Sequence, residues 1–351
     1  MNGLERITEF KLPMGVLSAD IHADKTQIVC GCMDGVYLAN ISDKSFERIT
    51  QHESYVSSVA LVDESTVLSA GYDGAVQWSG LSAGHLHTEK LHSFWSWDMA
   101  ISPDKKTAAS VTGQYLAGGY RYEPAPEREP SVVVFSVGTR EVLFQLPHVP
   151  SVQAVALSPD GRFVAAGNIM GEIRVWDVQS GMQAATWTTS EFTSWGIIKS
   201  HCYLGGVFAL EFTPDGEELL LAGMGQMRDP MAGNGKQLWQ KWKWNQPEPK
   251  MTDQTHKGEN GEGLMETLAI HPSGEFFVMG GRLRGGSWNL AAFELASGKR
   301  TATLKTGYRI TEARFFDEGR QLLVVGTQGQ PGPKKDGAFS SFGRVEVYKV
   351  I

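Results

Sequence analysis

The feature that most constrains this chain is repetition. Two short apolar-rich runs flanking a Pro/Asp/Gly-type turn recur seven times in 351 residues. The copies read SADIHADKTQIVCG from Ser18, SSVALVDESTVLSAG from Ser57, SWDMAISPDKKTAAS from Ser96 and VQAVALSPDGRFVAAG from Val152. They continue as VFALEFTPDGEELLLAG from Val207, METLAIHPSGEFFVMGG from Met265 and TEARFFDEGRQLLVVG from Thr311. Each is a hairpin signal, because these turn residues supply the tight reversal that joins two antiparallel strands. A third run follows every copy (GVYLAN, GAVQWSG, SVVVFSV, GEIRVWDV, KQLWQKW, NLAAFEL, GRVEVYKV), and a fourth follows most of them.

The unit returns roughly every 40 residues, which predicts an all-β fold, a seven-bladed β-propeller of four-stranded antiparallel blades. The last copy stops after its third strand, and the chain starts with an extra run, LERITEF, ahead of the first copy. The tetrapeptide ERIT occurs at 5–8 and again at 47–50, in the fourth strand of the first copy, an offset of one repeat. The N-terminal strand is therefore expected to complete the last blade and close the ring, removing the unpaired edges that an open array leaves. The expected organisation is one propeller over 1–351, with approximate blades 14–50, 51–90, 91–147, 148–187, 188–252, 253–305 and 306–351 plus 4–13.

Composition fits. Forty scattered glycines suit many turns, and 41% apolar residues suffice for a large core. The mild acidic balance, 39 acidic against 32 basic residues, gives no support for nucleic-acid binding. Three cysteines argue against a disulfide framework, and Cys30 and Cys32 read as two buried thiols on one strand. No run approaches the ~20 apolar residues of a membrane span, and the N-terminus lacks a signal-peptide run. The sequence thus reads as cytoplasmic, without a membrane association.

Repeat 148–187 carries SPDG and then IRVWDVQSG, with Trp176-Asp177 at its centre. On these residues the chain resembles a divergent, bacterial-type member of the WD-repeat (WD40) propellers along almost its whole length. Other copies depart from the family pattern. At the Trp-Asp position they place Ala39-Asn40, Ser79-Gly80, Phe135-Ser136, Trp239-Gln240, Phe293-Glu294 and Tyr348-Lys349. The family's Gly-His is replaced by Gln51-His52 and Pro147-His148, and Met170 stands where the turn Asp is expected, so no blade has the complete polar tetrad. Apolar stacking between blades can do most of that work. The resemblance implies a protein- or peptide-binding scaffold, a subunit or adaptor in a larger assembly.

Strands a to d of a blade, numbered from the centre outward, alternate in direction. The b–c turns and d–a connections share one face of the disc, and the a–b and c–d turns share the other. The long segments 118–131, 224–236, 282–288 and 328–342 fall between b and c, and 188–204 and 246–263 read as d–a connections. All belong to one face. Long loops are uncommon without a use, and a rigid scaffold presenting loops is a usual way to build a binding surface. Candidate binding residues there are Tyr120, Arg121, Tyr122, Arg228, Arg282, Arg284 and Trp288, with Phe94, Trp95 and Trp195 near the axis. Arg and aromatics are enriched in interface anchors, and Arg clamps carboxylates. The expected partner is a protein or peptide with acidic residues.

No nucleophile elbow, phosphate loop or zinc-protease signature occurs. His52, His92, His148, His201 and His256 each fall in a d–a connection, where the family places a structural histidine. No catalytic residue, metal or cofactor is assigned. The alternative is a propeller enzyme, lactonase-like or another small-molecule hydrolase. Its polar site at the channel mouth would draw on Asp98, His92, His201, Arg121 and Arg228. Three or more titratable groups meeting in a deep axial pocket would favour it.

Overall fold

The computed structural model describes residues 1, 3–113, 130–149, 151–195, 203–229, 234–259, 263–283, 286–329 and 340–351. The chain forms seven antiparallel sheets arranged as the blades of a ring. Strand β1 (Leu4–Leu12) is set aside for the last blade. Blade 1 comprises β2 (Val16–Ile21), β3 (Gln27–Cys32), β4 (Gly35–Asn40) and β5 (Phe46–Thr50). Blade 2 comprises β6 (Val56–Leu61), β7 (Thr66–Gly71), β8 (Ala75–Gly80) and β9 (Gly84–Lys90). Blade 3 comprises β10 (Asp98–Ile101), β11 (Thr107–Val111), β12 (Val132–Ser136) and β13 (Val142–Leu146). Blade 4 comprises β14 (Val152–Leu157), β15 (Phe163–Asn168), β16 (Glu172–Asp177) and β17 (Gln183–Thr188).

Blade 5 is larger. A short strand, β18 (Thr193–Trp195), pairs with the start of β19 (Tyr203–Phe212), followed by β20 (Glu218–Asp229), β21 (Asn234–Lys243) and β22 (Lys250–Gln254). Blade 6 comprises β23 (Gly263–Ile270), β24 (Phe276–Leu283), β25 (Leu290–Glu294) and β26 (Arg300–Leu304). Blade 7 comprises β27 (Arg309–Phe316), β28 (Gln321–Thr327) and β29 (Gly343–Val350), with β1 as its outermost strand. The register of that closure runs from Leu4 opposite Val350 to Leu12 opposite Gly343, as the ERIT echo implies.

The a–b turns follow local chemistry. In Ser158-Pro-Asp-Gly, the Ser158 hydroxyl donates to Asp160 at 2.5 Å and accepts from the Phe163 N–H at 2.9 Å, while Gly161 takes φ 70°. Ser102/Asp104 and Thr213/Asp215 repeat the device. In blade 3 the left-handed position falls to Lys105, with φ 61°.

Most of the core lies between blades. Trp176, Trp239, Phe135, Phe277 and Phe293 are fully buried, each contributing on the order of 2–3 kcal/mol. Phe277 stacks on Phe293 at 5.1 Å, and Trp239 meets Phe277 edge-on.

Polar staples differ from blade to blade. In blade 2, His52 binds Asp73 at 3.0 Å and Ser69 at 2.9 Å, three of the four tetrad partners, with Ser79 at the position of the family's tryptophan. In blade 4, Asn168 Oδ1 accepts from the N–H groups of Met170 and Glu172 and so holds the turn. In blade 6, Asn289 donates to Thr306 and Tyr308. In blade 7, Glu346 accepts from Tyr308, Tyr348 and Arg6, the last drawn from the closing strand.

Two sequence assignments in blade 5 change. Trp176 stands opposite Val164, the second residue of its b strand, and in blade 5 the residue opposite the second position, Leu219, is Trp242. The Trp-Asp position there is Trp242-Lys243, not Trp239-Gln240; the hairpin is longer than the others, which displaced the alignment. Segment 246–263 is also not one d–a connection, because it contains the outer strand β22. Residues 246–249 therefore turn on the opposite face of the disc. The 224–236 insertion is largely a lengthened β20–β21 hairpin, paired as far as Asp229 opposite Asn234.

Candidate functional site

The seven innermost strands enclose an axial channel of about 800 Å³. Its wall is built by a repeated irregularity. Near the start of strand a, the pairing with strand b skips one residue in six blades: Leu17, Ser57, Gln153, Phe208, Glu266 and Thr311. In blade 3, Trp97 takes the same place, its N–H donating to Val111 O while Asp98 also faces Val111. A β-bulge re-aims a side chain, and all seven of these residues line the channel near its loop-face end.

Deeper in the channel, side chains of strand a tie neighbouring blades together at six of the seven junctions among the described residues. Asp20 accepts from the Leu61 N–H, Ser58 from Met99, Asp98 from Val155, Glu211 from Ile270, Thr267 from Ala313 and Glu312 from Ala19, all at 2.7–3.1 Å. Blade 4 carries Ala154 and Ala156 at the corresponding positions. Its junction with blade 5 is filled instead by aromatic packing of Trp244 against Phe163 and Phe212, and of Trp187 against Trp242.

Three titratable groups do meet in the channel. Arg314 Nε donates to Glu312 at 2.6 Å, and its Nη1 lies 3.4 Å from Asp20. Both carboxylates also hold the N–H of a neighbouring blade, so the cluster serves the joints of the ring. Burial pushes the Glu211 carboxyl up to about 7, against the opposing pull of the Ile270 N–H and Arg314. Burial likewise raises Asp98, whose oxygens accept from Ser58, Met99 and Val155. His92 is buried on Ser110, and burial lowers its pKa to about 4.

The loop-face rim carries the exposed chemistry. Between blades 2 and 3, five aromatic rings form one cluster. Tyr72 stacks on Trp95 at 4.7 Å and 4°, Phe94 covers Trp95 at 5.2 Å, and Trp97 and Tyr55 meet Tyr72 at 5.4 and 5.9 Å. Trp95 is 41% and Tyr55 44% exposed. Gly74 makes the arrangement possible. Its φ is +74°, its carbonyl accepts from the N–H groups of Leu91 and His92, and a Cβ there would collide with the carbonyls of His92 and Phe94.

Tyr72 also lines the channel, where blades 6 and 7 contribute Glu266 and Arg309. Arg309 Nε donates to Glu266 Oε2 at 2.5 Å. Burial pushes the Glu266 carboxyl above its usual range, against Arg309 and Arg282. Burial works against the Arg309 charge, but Glu266 outweighs it and raises the Arg309 pKa.

The candidate residues from the sequence separate accordingly. Phe94 and Trp95 fall in the aromatic cluster, and Arg282 is exposed near the end of β24, opposite Leu264. Trp195 and Arg228 lie in β18 and β20. Tyr120, Arg121, Tyr122 and Arg284, and His201 of the hydrolase alternative, lie outside the described residues. Trp288 does not join the exposed surface. It is 4% exposed, packs in the core of blades 5 and 6, and is covered by the Arg300 guanidinium 5.5 Å from its ring. Sequence reasoning missed Tyr55, Tyr72, Trp97, Glu266 and Arg309. Only the aromatic run Phe94-Trp95-Ser96-Trp97 gave a hint, and it pointed to Trp97 alone.

Cys30 and Cys32 are buried, and burial raises both thiols. Among the described residues, no three His, Cys, Asp or Glu side chains are placed to hold a metal. No helix among the described residues is long and apolar enough to cross a membrane.

Residues 140–177 match the family model described as WD domain, G-beta repeat. That stretch runs from the start of β13 through β16, so it contains the outer strand of blade 3 and the inner three strands of blade 4. The chain is a seven-bladed β-propeller that carries a WD40 repeat.

Proposed function

We propose that this propeller is a scaffold that docks a protein or peptide partner on its loop face, anchored by the Tyr55–Tyr72–Phe94–Trp95–Trp97 cluster at the channel mouth. WD40 propellers are commonly interaction scaffolds, but fold alone does not assign a role. The observation that carries the reading is the aromatic cluster. Large rigid rings that are half-exposed, backed by a fixed scaffold and placed beside charged groups are the residue types that dominate interface energetics. The charge at the adjacent rim fits a partner segment with acidic residues.

The test is affinity capture from the native host, identification of the bound proteins by mass spectrometry, and titration of the purified partner against wild type, Trp95→Ala and Tyr55→Ala. Loss of Trp95 is expected to weaken binding by about thirtyfold, the scale of an interface hot spot. An unchanged affinity in both variants refutes the assignment of this face.

The hydrolase alternative has one observation in its favour, the Asp20–Arg314–Glu312 cluster in the channel. The backbone N–H groups that occupy those carboxylates weigh against it.

A further inference from the structure

We propose that the loop-face mouth of the channel is a carboxylate-binding pocket, in which Arg309, with Arg282 and the Tyr72 hydroxyl, seats an aspartate or glutamate side chain of the docked segment. This inference rests on the docking reading and specifies what it recognises.

The charge arrangement is the first argument. Arg309 pairs with Glu266, and Arg282 stands opposite Leu264, a channel-lining residue two positions before Glu266, so two arginines serve one carboxylate on this side of the mouth. Glu266 is 9% exposed at its side chain and already engaged, so it offers little to a cationic ligand. Arg309 keeps 38% of its side chain exposed, and among the described residues its guanidinium makes no hydrogen bond beyond Nε. Its terminal amino groups therefore remain for a planar acceptor, the geometry in which Arg binds carboxylate with two parallel bonds.

Preorganisation is the second argument. Glu266 is the bulged residue of β23, aimed inward by the skipped register between Met265 and Thr267. It holds Arg309 by Nε, so the fork is oriented before a ligand arrives. Tyr72 reaches the same mouth from blade 2, near enough to feel both Arg309 and Glu266, and its hydroxyl makes no hydrogen bond among the described residues. The aromatic shelf behind Tyr72 excludes water from one side and strengthens an ion pair made there.

Depth is the third argument. Below the bulged ring the carboxylates of Asp20 and Glu312 already engage Arg314, and burial pushes the neighbouring Asp98 and Glu211 toward their neutral forms, so no unpaired cation among the described residues awaits a carboxylate there. A carboxylate is attracted at the rim and not further in, so the ligand is expected to be a side chain that stops at the mouth.

The experiment is an array of heptapeptides with randomised flanks and a fixed central Asp, Glu, Asn, Gln or Lys. It is read with the full-length protein, wild type and Arg309→Gln/Glu266→Gln. The double variant removes both members of the Arg309–Glu266 pair, so that the buried Glu266 carboxylate is not left without its partner. Wild type is expected to retain acid-centred peptides about tenfold more strongly than their amide counterparts, the value of charge-assisted hydrogen bonds at a partly buried site. The double variant is expected to lose that preference. The Arg282→Gln variant, at an exposed residue, leaves the Arg309–Glu266 pair in place and is expected to reduce the preference about threefold.

Equal retention of acids and amides by wild type, a preference for Lys-centred peptides, or a preference unchanged in both variants overturns the pocket. If acids and amides bind equally and Trp95→Ala abolishes both, the docking reading survives and the carboxylate pocket falls. If wild type retains no class of peptide, both fall.

Discussion

Replacing Glu211 with Gln should make the protein more stable above neutral pH and leave it nearly unchanged near pH 4.5. The carboxyl lines the channel at the junction of blades 5 and 6, with Oε2 accepting from the Ile270 N–H at 2.9 Å. Burial raises it from the ordinary 4.5 to about 7. The sign follows from linkage. Between those two values the folded protein holds a proton that the unfolded chain has released, so stability falls as pH rises through the window, and the full penalty applies above the folded value. A displacement of this size corresponds to about 3 kcal/mol as an upper figure. The amide keeps an acceptor for Ile270 and cannot ionise, so the penalty disappears. Equilibrium denaturation at steps from pH 4.5 to 8, followed by tryptophan fluorescence, measures it. The wild-type and variant midpoints should coincide at the acid end and diverge steadily above pH 5. His92 and His148 titrate in both proteins and cancel in the difference. A constant offset between the two curves, or a variant less stable at pH 8, would refute the claim that desolvation dominates at Glu211.

Two more expectations follow from backbone geometry. Lys105→Gly should stabilise the fold by roughly 1 kcal/mol, because a left-handed conformation costs an L residue more than glycine loses in unfolded-state entropy; a melting curve that shifts downward would contradict this. Gly74→Ala should disrupt the aromatic cluster, since the added methyl meets the carbonyls of His92 and Phe94. The near-ultraviolet circular dichroism of the stacked rings should weaken, and an unchanged spectrum would show that the loop relaxes without cost.

The fold was legible because its signals are local. Each Ser/Thr-Pro-Asp turn closes within six residues through its own side chains, and the ERIT echo reports the closing strand directly. Strand β22 was missed for a physical reason. Its sequence, KMTDQ, belongs to an outermost strand with no buried face, so it carries no apolar alternation. The register in blade 5 was misread because Trp239 and Trp242 share one long strand and Trp244 follows directly after it, so three tryptophans compete for one position. The candidate site was less legible still. Tyr72, Glu266 and Arg309 come from blades 2, 6 and 7 and share only the wall of the channel. Glu266 owes its direction to a bulge, which has no sequence signature of its own. Trp288 looked like a surface anchor because aromatic residues in loops look alike until packing decides.

The pairing of β1 with β29 joins residues more than 330 positions apart. A ribosome adding about 5–20 residues per second separates the synthesis of these two strands by tens of seconds. During that interval the Leu4–Leu12 segment emerges with its hydrogen-bonding groups unclaimed, while six sheets behind it can already assemble. The first strand of the propeller to be made is thus the last to find its place, and the nascent chain must keep it from foreign strands until Arg6 can reach Glu346.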